Sequence, residues 1–251
     1  MIQHFQPISV FSKEPYRKIL AFPKVKESEI EKRIVELRKL GVTHVSFTGP
    51  LQIEKCNILG KGYVGMVVLA KKSGKIVALK IRRTDSPRKD MSGEAKLLRI
   101  ANEINIGPKI IEDSKNFLIM EFINGEKIIV WAKKSKTKSK DLRSVIKNIL
   151  RECYLLDNAG LDHGELSTID KHVIVGKNKN TIIDFESSSS KRKTSNVSSA
   201  TQAILIGTAL AKVVRKKIQV PRRDKIIRLV RNYKKLRTQE SFDNLLRELK
   251  L

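Results

Sequence analysis

GLDHGELSTIDKHVIVGKNKNTIIDFE, residues 160–186, is the stretch from which the rest of the chain is read. In a protein whose 52 Lys and Arg outnumber 26 Asp and Glu, for a net charge of +26, this span concentrates acids: Asp162, Glu165, Asp170, Asp184 and Glu186. The β-branched run Lys171 to Val175 predicts one strand. A Gly/Asn turn follows, and Thr181 to Ile183 predicts a second strand that ends on Asp184. That order brings the loop acids and the strand-end acid to one end of a β-hairpin. Carboxylates gathered at one spot repel one another unless a hard cation sits among them. The ion expected is Mg²⁺ or Mn²⁺, and with Mg²⁺ usually comes a phosphate. A hairpin with solvated acidic ends is the alternative, and this stretch by itself leaves both open.

At 251 residues and 40% apolar composition, the chain can bury a substantial core as one bilobal unit or two small domains. The longest apolar run, Ala200 to Val214, is interrupted by Thr201, Gln202, Gly207, Thr208 and Lys212 and is too short to span a bilayer. The opening MIQHFQPISVFSKEP lacks the cationic start and apolar block of a signal peptide. Cys56 and Cys153 lie far apart with no metal spacing, which fits a reducing setting. The expectation is a cytoplasmic protein with no membrane partner. Its positive charge points to anionic partners, whether nucleotide, nucleic acid or ribonucleoprotein, although thermophiles also favour heavily charged surfaces.

Residues 1–50 read as an extension. Ser28 and Glu31 have capping-box spacing, Ile30, Ile34 and Leu37 share a face, and Gly41 marks a stop, so a helix is predicted over about 29–40. A short strand at Val45 to Phe47 follows. From residue 53 the period becomes two: strands at 53–59, 66–71 and 75–82 flank a Gly-rich turn at 60–65 and a Lys72-Ser73-Gly74 turn. A helix is predicted over about 88–105, then strands at 109–112 and 116–122. Asn124-Gly125 reads as a hinge and WAKKSKTKSKD as a solvated basic connector, with nucleic-acid contact as the alternative. Leu142, Val145, Ile146, Ile149 and Cys153 recur at helical spacing. A Ser/Thr/Lys-rich loop follows the hairpin, and Ser198 or Ser199 would cap a helix to about Val214. Two more helices are predicted at about 222–237 and 241–250.

Three separated motifs resemble, in order, those of the protein-kinase fold. Gly60-Lys61-Gly62-Tyr63-Val64-Gly65-Met66-Val67 resembles the Gly-rich loop, and Val77-Ala78-Leu79-Lys80 the strand that carries the phosphate-binding Lys. His163-Gly164-Glu165 with Asp170, and Asp184-Phe185-Glu186, resemble the catalytic loop and metal-binding triplet. The pattern is similar to small atypical kinases of the RIO type, to the small kinase of the tRNA-modifying KEOPS assembly, and to archaeal kinases assigned to Ser/Thr that carry HGEL and DFE. The fold implied is α+β and bilobal: an extension (1–50), a small antiparallel-sheet N-lobe with one main helix (51–123), and a mainly helical C-lobe (124–251).

A GxGxxG sequence also occurs in dinucleotide-binding folds, but there a helix follows the third Gly, whereas Met66 to Leu69 reads as a strand. In a strand-turn-strand, Gly60, Gly62 and Gly65 let backbone N–H groups close over phosphate oxygens. Alternation puts Ala78 and Lys80 on one face of their strand. The resemblance implies that Ala78 and Val67 wall a purine slot, that Lys80 reaches the α/β-phosphates, and that Glu94 on the next helix anchors it. Lys80 on an edge strand, snorkelling to water, is the alternative. Backbone groups of Met120, Glu121 and Ile123 would meet the adenine edge. Glu165 stands where the family's hydroxyl-proton acceptor is usually Asp, and Asp170 where a metal-binding Asn is usual. Asp184 would be the other metal ligand. His163 is expected to support the loop by hydrogen bonding and His172 to be structural.

Glu186 replaces the usual Gly, and no Ala-Pro-Glu triplet follows it. A peptide-docking activation segment is therefore not expected. Ser187 to Ser190, Thr194 and Ser195 are candidate autophosphorylation sites, or members of a solvated loop. The reading is an atypical Ser/Thr protein kinase that uses ATP and Mg²⁺ or Mn²⁺ on a protein substrate, with Glu165, Lys80 and Asp184 as catalytic residues. Its competitor is a pseudokinase-like nucleotide-binding module of an RNA or ribonucleoprotein assembly, contacted through the basic surface.

Overall fold

Alternating apolar residues make much of the first half of the chain a sheet, and the computed structural model, which describes residues 4–251, shows how its two faces are used. The chain divides into two compact units. One runs up to Lys96 and adds Lys109–Phe122; the other comprises Leu97–Pro108 and Ile123–Leu251.

In the first unit, β1 (Gln6–Pro7), α1 (Tyr16–Leu20), α2 (Glu27–Lys39) and β2 (Val42–Ser46) precede a hairpin of β3 (Leu51–Ile53) and β4 (Cys56–Ile58). Then come β5 (Gly60–Lys61), β6 (Gly65–Lys72), β7 (Lys75–Arg82), α3 (Ser92–Glu103), β8 (Ile110–Asp113) and β9 (Phe117–Glu121). The main sheet has seven strands in the order β1-β2-β6-β7-β9-β8, with β5 also paired to β6. One face, formed by Val68 and Ala70 of β6, Val77, Leu79 and Ile81 of β7, and Phe117 and Ile119 of β9, makes a single apolar core with Ile30, Ile34 and Leu37 of α2. The opposite positions of β7 are Ala78 and Lys80, paired with Leu69 and Val67 on β6.

Several local expectations change. The strand expected over 53–59 is split, because Glu54 and Lys55 are both left-handed (φ 48° and 65°) and turn the chain into the β3–β4 hairpin. Ser28 does not cap α2; the helix begins at Glu27 with Lys26 as its cap residue and no side-chain cap bond. Glu27 and Glu29 instead place negative charge in its first turn, where the helix dipole favours it. Helix α3 starts at Ser92 rather than 88, since the Asp90 carboxylate accepts the Ser92 N–H at 3.0 Å in an Asx-type turn.

Arg33 of α2 is fully buried. Its guanidinium donates to Leu20 O (2.7 Å), Arg82 O (2.6 Å) and Asn116 Oδ1 (3.2 Å), and pairs with Glu29 at 2.7 Å. One side chain thus joins the segment before α2 to β7 and to the β8–β9 turn.

The second unit holds the rest of α3 with β10 (Gly125–Lys127), α4 (Ile128–Lys133), α5 (Ser139–Asn158), α6 (Ile169–His172), β11 (Val173–Gly176) and β12 (Asn180–Ile182). It ends in α7 (Asn196–Gln202), α8 (Ala209–Lys217), α9 (Arg223–Leu236) and α10 (Gln239–Glu248). Strand β10 pairs with β11, so the expected two-stranded hairpin is a three-stranded sheet. Lys171 and His172 belong to α6 and not to the strand.

The connector read as solvated is partly ordered: Trp131, Ala132 and Lys133 are helical, and buried Thr137 donates to Trp131 O at 2.7 Å. Glu152 on α5 accepts from Asn180 Nδ2 of β12 at 3.1 Å, while its second oxygen is buried with no partner. The apolar helix expected to run to Val214 is broken. Residues Ala203–Gly207 form a π turn, and Thr208 donates to Ala203 O at 2.7 Å and caps α8 by accepting from Ala211 N at 3.3 Å. The two pieces meet at 70°. Among the described residues no single helix is long and apolar enough to cross a membrane.

Candidate active-site residues

In the first unit the residues expected at the site gather around Lys80. Its alternation on β7 puts the ammonium on the face away from α2, and Nζ lies 2.8 Å from Glu94 Oε1 in the first turn of α3. Both residues are only 3% exposed, so the pair is held in a low-dielectric setting where a lone charge would be costly. The Gly-rich segment folds beside it. Gly62 N donates to Gly65 O at 2.8 Å, Gly60 pairs with Val67, and Val67 pairs with Lys80. A Cβ at Gly65 would come within 2.8 Å of Ile81 O and 3.1 Å of Lys80 Cγ, so only glycine lets these strands approach. Arg83 N donates to Val64 O at 2.9 Å, and the Arg83 side chain to Gly62 O at 3.3 Å. Tyr63 stands at the exposed tip. Ala78 pairs with Met120, and Glu121 N donates to Lys109 O at 2.8 Å. Ile123 opens the second unit.

In the second unit the loop after α5 is fixed by a buried polar network. Asn196 Oδ1 accepts from His163 N at 2.8 Å, its amide donates to Asp157 Oδ1 (2.9 Å) and Leu161 O (2.8 Å), and Asp157 also accepts from Tyr233 Oη at 3.0 Å. His163 is fully buried. Burial pushes its pKa down to about 4, with His172 adding to the effect, so the ring is neutral. Nε2 meets Ile183 O at 3.1 Å and Nδ1 faces Glu165 N at 3.4 Å; this fits a tautomer with the proton on Nε2. His163 therefore supports the loop, as expected from its position. Gly164 has φ +89°, and a Cβ there would lie 2.6 Å from Ser187 O.

The hairpin acids do not all converge. Asp162 is buried against Arg192 Nε at 2.6 Å and accepts from Ser195 N at 2.8 Å; it organises the following loop. Glu165, His172 and Asp184 do meet, with one ligand atom from each within 4.8 Å of the other two. Glu165 Oε2 is 3.5 Å from His172 Nε2, and Asp184 Oδ2 is 3.9 Å from His172 Nδ1. Asp184 is held at φ 72°, a conformation that a short polar side chain tolerates and that clusters at ligand clamps. Asp170 lies in the first turn of α6, outside this trio.

Residues 70–199 match the family model described as the RIO domain. The chain belongs to the RIO domain family. Its membership implies an atypical protein kinase or ATPase-like activity with nucleotide binding, and RIO proteins generally bind ATP with a divalent metal. A protein of Methanocaldococcus jannaschii described as uncharacterized is 32% identical over 120 residues, which span 47% of this chain and 100% of the relative.

The second-unit trio of this RIO domain suits a divalent ion. Two half-buried carboxylates flank an imidazole whose Nδ1 is buried without a hydrogen-bond partner. At the start of a strand His172 would be structural; the α6 turn carries it to the acids. Asn196 and Asp157 are the loop's other supports. Nothing in their local spacing marks them, since their partners lie 33 and 39 residues away.

Proposed function

We propose that this RIO domain protein is a cytoplasmic, ATP-dependent atypical Ser/Thr protein kinase, using Mg²⁺ or Mn²⁺, that phosphorylates protein hydroxyls including its own. The observation that carries the reading is the buried Lys80–Glu94 pair beside a glycine turn. Held by Glu94, Lys80 would bind α- and β-phosphate oxygens, and the amides of residues 60–65 would cover the phosphates. Val67 and Ala78 would pack on the purine while backbone groups of Met120, Glu121 and Ile123 meet its edge. Asp170 and Asp184 would hold the metal, whose charge neutralises the phosphates. Glu165, on a loop fixed by neutral His163, would accept the hydroxyl proton as the acceptor oxygen bonds to the γ-phosphorus. The bond to the β–γ bridging oxygen breaks and ADP leaves. Of the hydroxyls at 187–190, 194 and 195, only Ser190 is exposed, which favours it as the self-acceptor.

Incubation with γ-labelled ATP, each metal, and a basic test protein checks this. Label on the chain or the test protein is expected, and Lys80→Ala and Asp184→Ala should each abolish it. No transfer under either metal would overturn the reading, and transfer surviving in either variant would reject that residue's role.

A second reading, a nucleotide-binding module serving RNA or ribonucleoprotein, is favoured by α9. Arg228, Arg231, Lys234 and Lys235 are exposed there, opposite buried Ile226, Val230 and Tyr233. It predicts RNA affinity that falls steeply with salt and nucleotide binding without transfer.

A further inference from the structure

We propose that Glu165, His172 and Asp184 form a site for a borderline divalent transition ion of the Zn²⁺/Mn²⁺ class, which binds without nucleotide through Nδ1 of His172. The proposal rests on Asp184 being a metal ligand but not on phosphoryl transfer.

Three observations point to the imidazole as a ligand. His172 is only 8% exposed, and its Nδ1 has no hydrogen-bond partner. A buried ring nitrogen with nothing to bond is normally avoided, and metal coordination satisfies it. Secondly, the ring lies between carboxylates rather than carbonyls. Asp184 Oδ2 lies 3.9 Å from Nδ1, near the roughly 3.4 Å between two atoms that share one ion at bonds of about 2.1 Å and a tetrahedral angle. Glu165 Oε2 lies 3.5 Å from the ring's other nitrogen, Nε2, and one ligand atom from each of the three residues falls within 4.8 Å of the other two. Thirdly, the ring and the acids are fixed in place. The His163 ring packs against His172 with centroids 5.6 Å apart and against Phe185 at 5.0 Å. His163 Nδ1 faces the Glu165 amide, and Asp184 is locked in the left-handed region.

The nitrogen changes which ion is preferred. Mg²⁺ is a hard ion that takes oxygen ligands and keeps several waters, so it gains little from imidazole. Zn²⁺ and, more weakly, Mn²⁺ accept a mixed nitrogen and oxygen set. An O/N/O trio supplied wholly by the protein needs no phosphate to complete it.

The test is calorimetric titration of the full chain, stripped with chelator, with ZnCl₂, MnCl₂ and MgCl₂ in the absence of nucleotide. One Zn²⁺ per chain is expected, Mn²⁺ binding more weakly, and Mg²⁺ showing no heat over the same range. Co²⁺ should give a visible absorption band that changes in His172→Gln. His172→Gln and, as a second variant on a half-exposed residue, Glu165→Gln should each weaken Zn²⁺ by about tenfold or more while keeping the wild-type circular dichroism. Absence of stoichiometric Zn²⁺, or unchanged affinity in both variants, would overturn the site and leave His172 as a buried ring packed between two acids. If Mg²⁺-supported transfer persists while Zn²⁺ fails to bind, this proposal falls and the kinase reading stands. Zn²⁺ binding without any transfer gives the reverse.

Discussion

Glu152→Gln tests the electrostatics of the second unit through a pH difference. One Glu152 oxygen is buried with no partner, and burial pushes the carboxyl up to about 7 against an ordinary value of 4.5; the Ile182 N–H and Lys179 only partly offset this. The folded protein therefore keeps a proton that the unfolded chain has lost between those two values. The sign follows: wild-type stability falls as pH rises from about 4.5 to about 7, then levels off. At about 1.4 kcal/mol per pH unit, the full loss is about 3 kcal/mol as an upper bound. The amide that replaces the carboxyl does not titrate, so the variant lacks this slope. Its unpaired N–H groups cost a fixed amount, about 1 kcal/mol, at every pH. Buried His163, pushed down to about 4 from 6.5, acts the opposite way, taking stability away as pH falls through that window. It is common to both proteins and cancels in the difference. Urea unfolding of both proteins at half-unit steps from pH 4.5 to 8 is the assay. The variant should gain on the wild type by about 2–3 kcal/mol across that range. A difference that stays flat, or that grows toward acid, would refute the buried-acid argument.

Two further substitutions test how the loop and the sheet are held. Gly164→Ala places a Cβ against Ser187 O at a φ of +89°; a loss of about 1–3 kcal/mol from the backbone alone is expected, read as a lower Tm together with reduced label transfer. Arg33→Met strips the donor from Leu20 O and Arg82 O and leaves Glu29 without its partner, while Asn116 Oδ1 still accepts from Arg82. Chemical unfolding should show a loss of about 3–5 kcal/mol, and a loss below about 1 kcal/mol would show that water replaces these bonds readily.

Local signals carried much of the fold and part of the site. Period two over Lys75–Arg82 put Lys80 and Ala78 on one face, and the structure pairs them with Val67 and Leu69 as an antiparallel sheet requires. Glu94 was legible only through the resemblance to the kinase fold, whose Lys–Glu pair it matches, and the structure puts it 2.8 Å from Lys80 Nζ. What escaped was set by distant partners. Strand β10 follows a hinge-like Asn-Gly and is defined only by pairing with Gly176, Val175 and Ile174 some fifty residues on. The break at Thr208 depends on one hydroxyl bonding back to Ala203 O, which an apolar run does not reveal. His172 looked like a strand residue because Val173–Val175 follows it; one helical turn before that strand redirects its ring. Arg33 reads as one more surface cation on a polar helix, and only its carbonyl partners on two other segments explain its burial.

The family match begins at residue 70, inside β6, yet the side of that sheet opposite Lys80 is closed by Ile30, Ile34, Leu37 and the strands and turns around them. Trimming the protein to the matched segment would halve a strand and leave Val77, Leu79 and Phe117 facing water. Such a fragment is expected to aggregate, since a bared apolar sheet with a severed edge is a template for self-association. A shortened version that keeps this sheet folded therefore has to retain α1, α2 and β2.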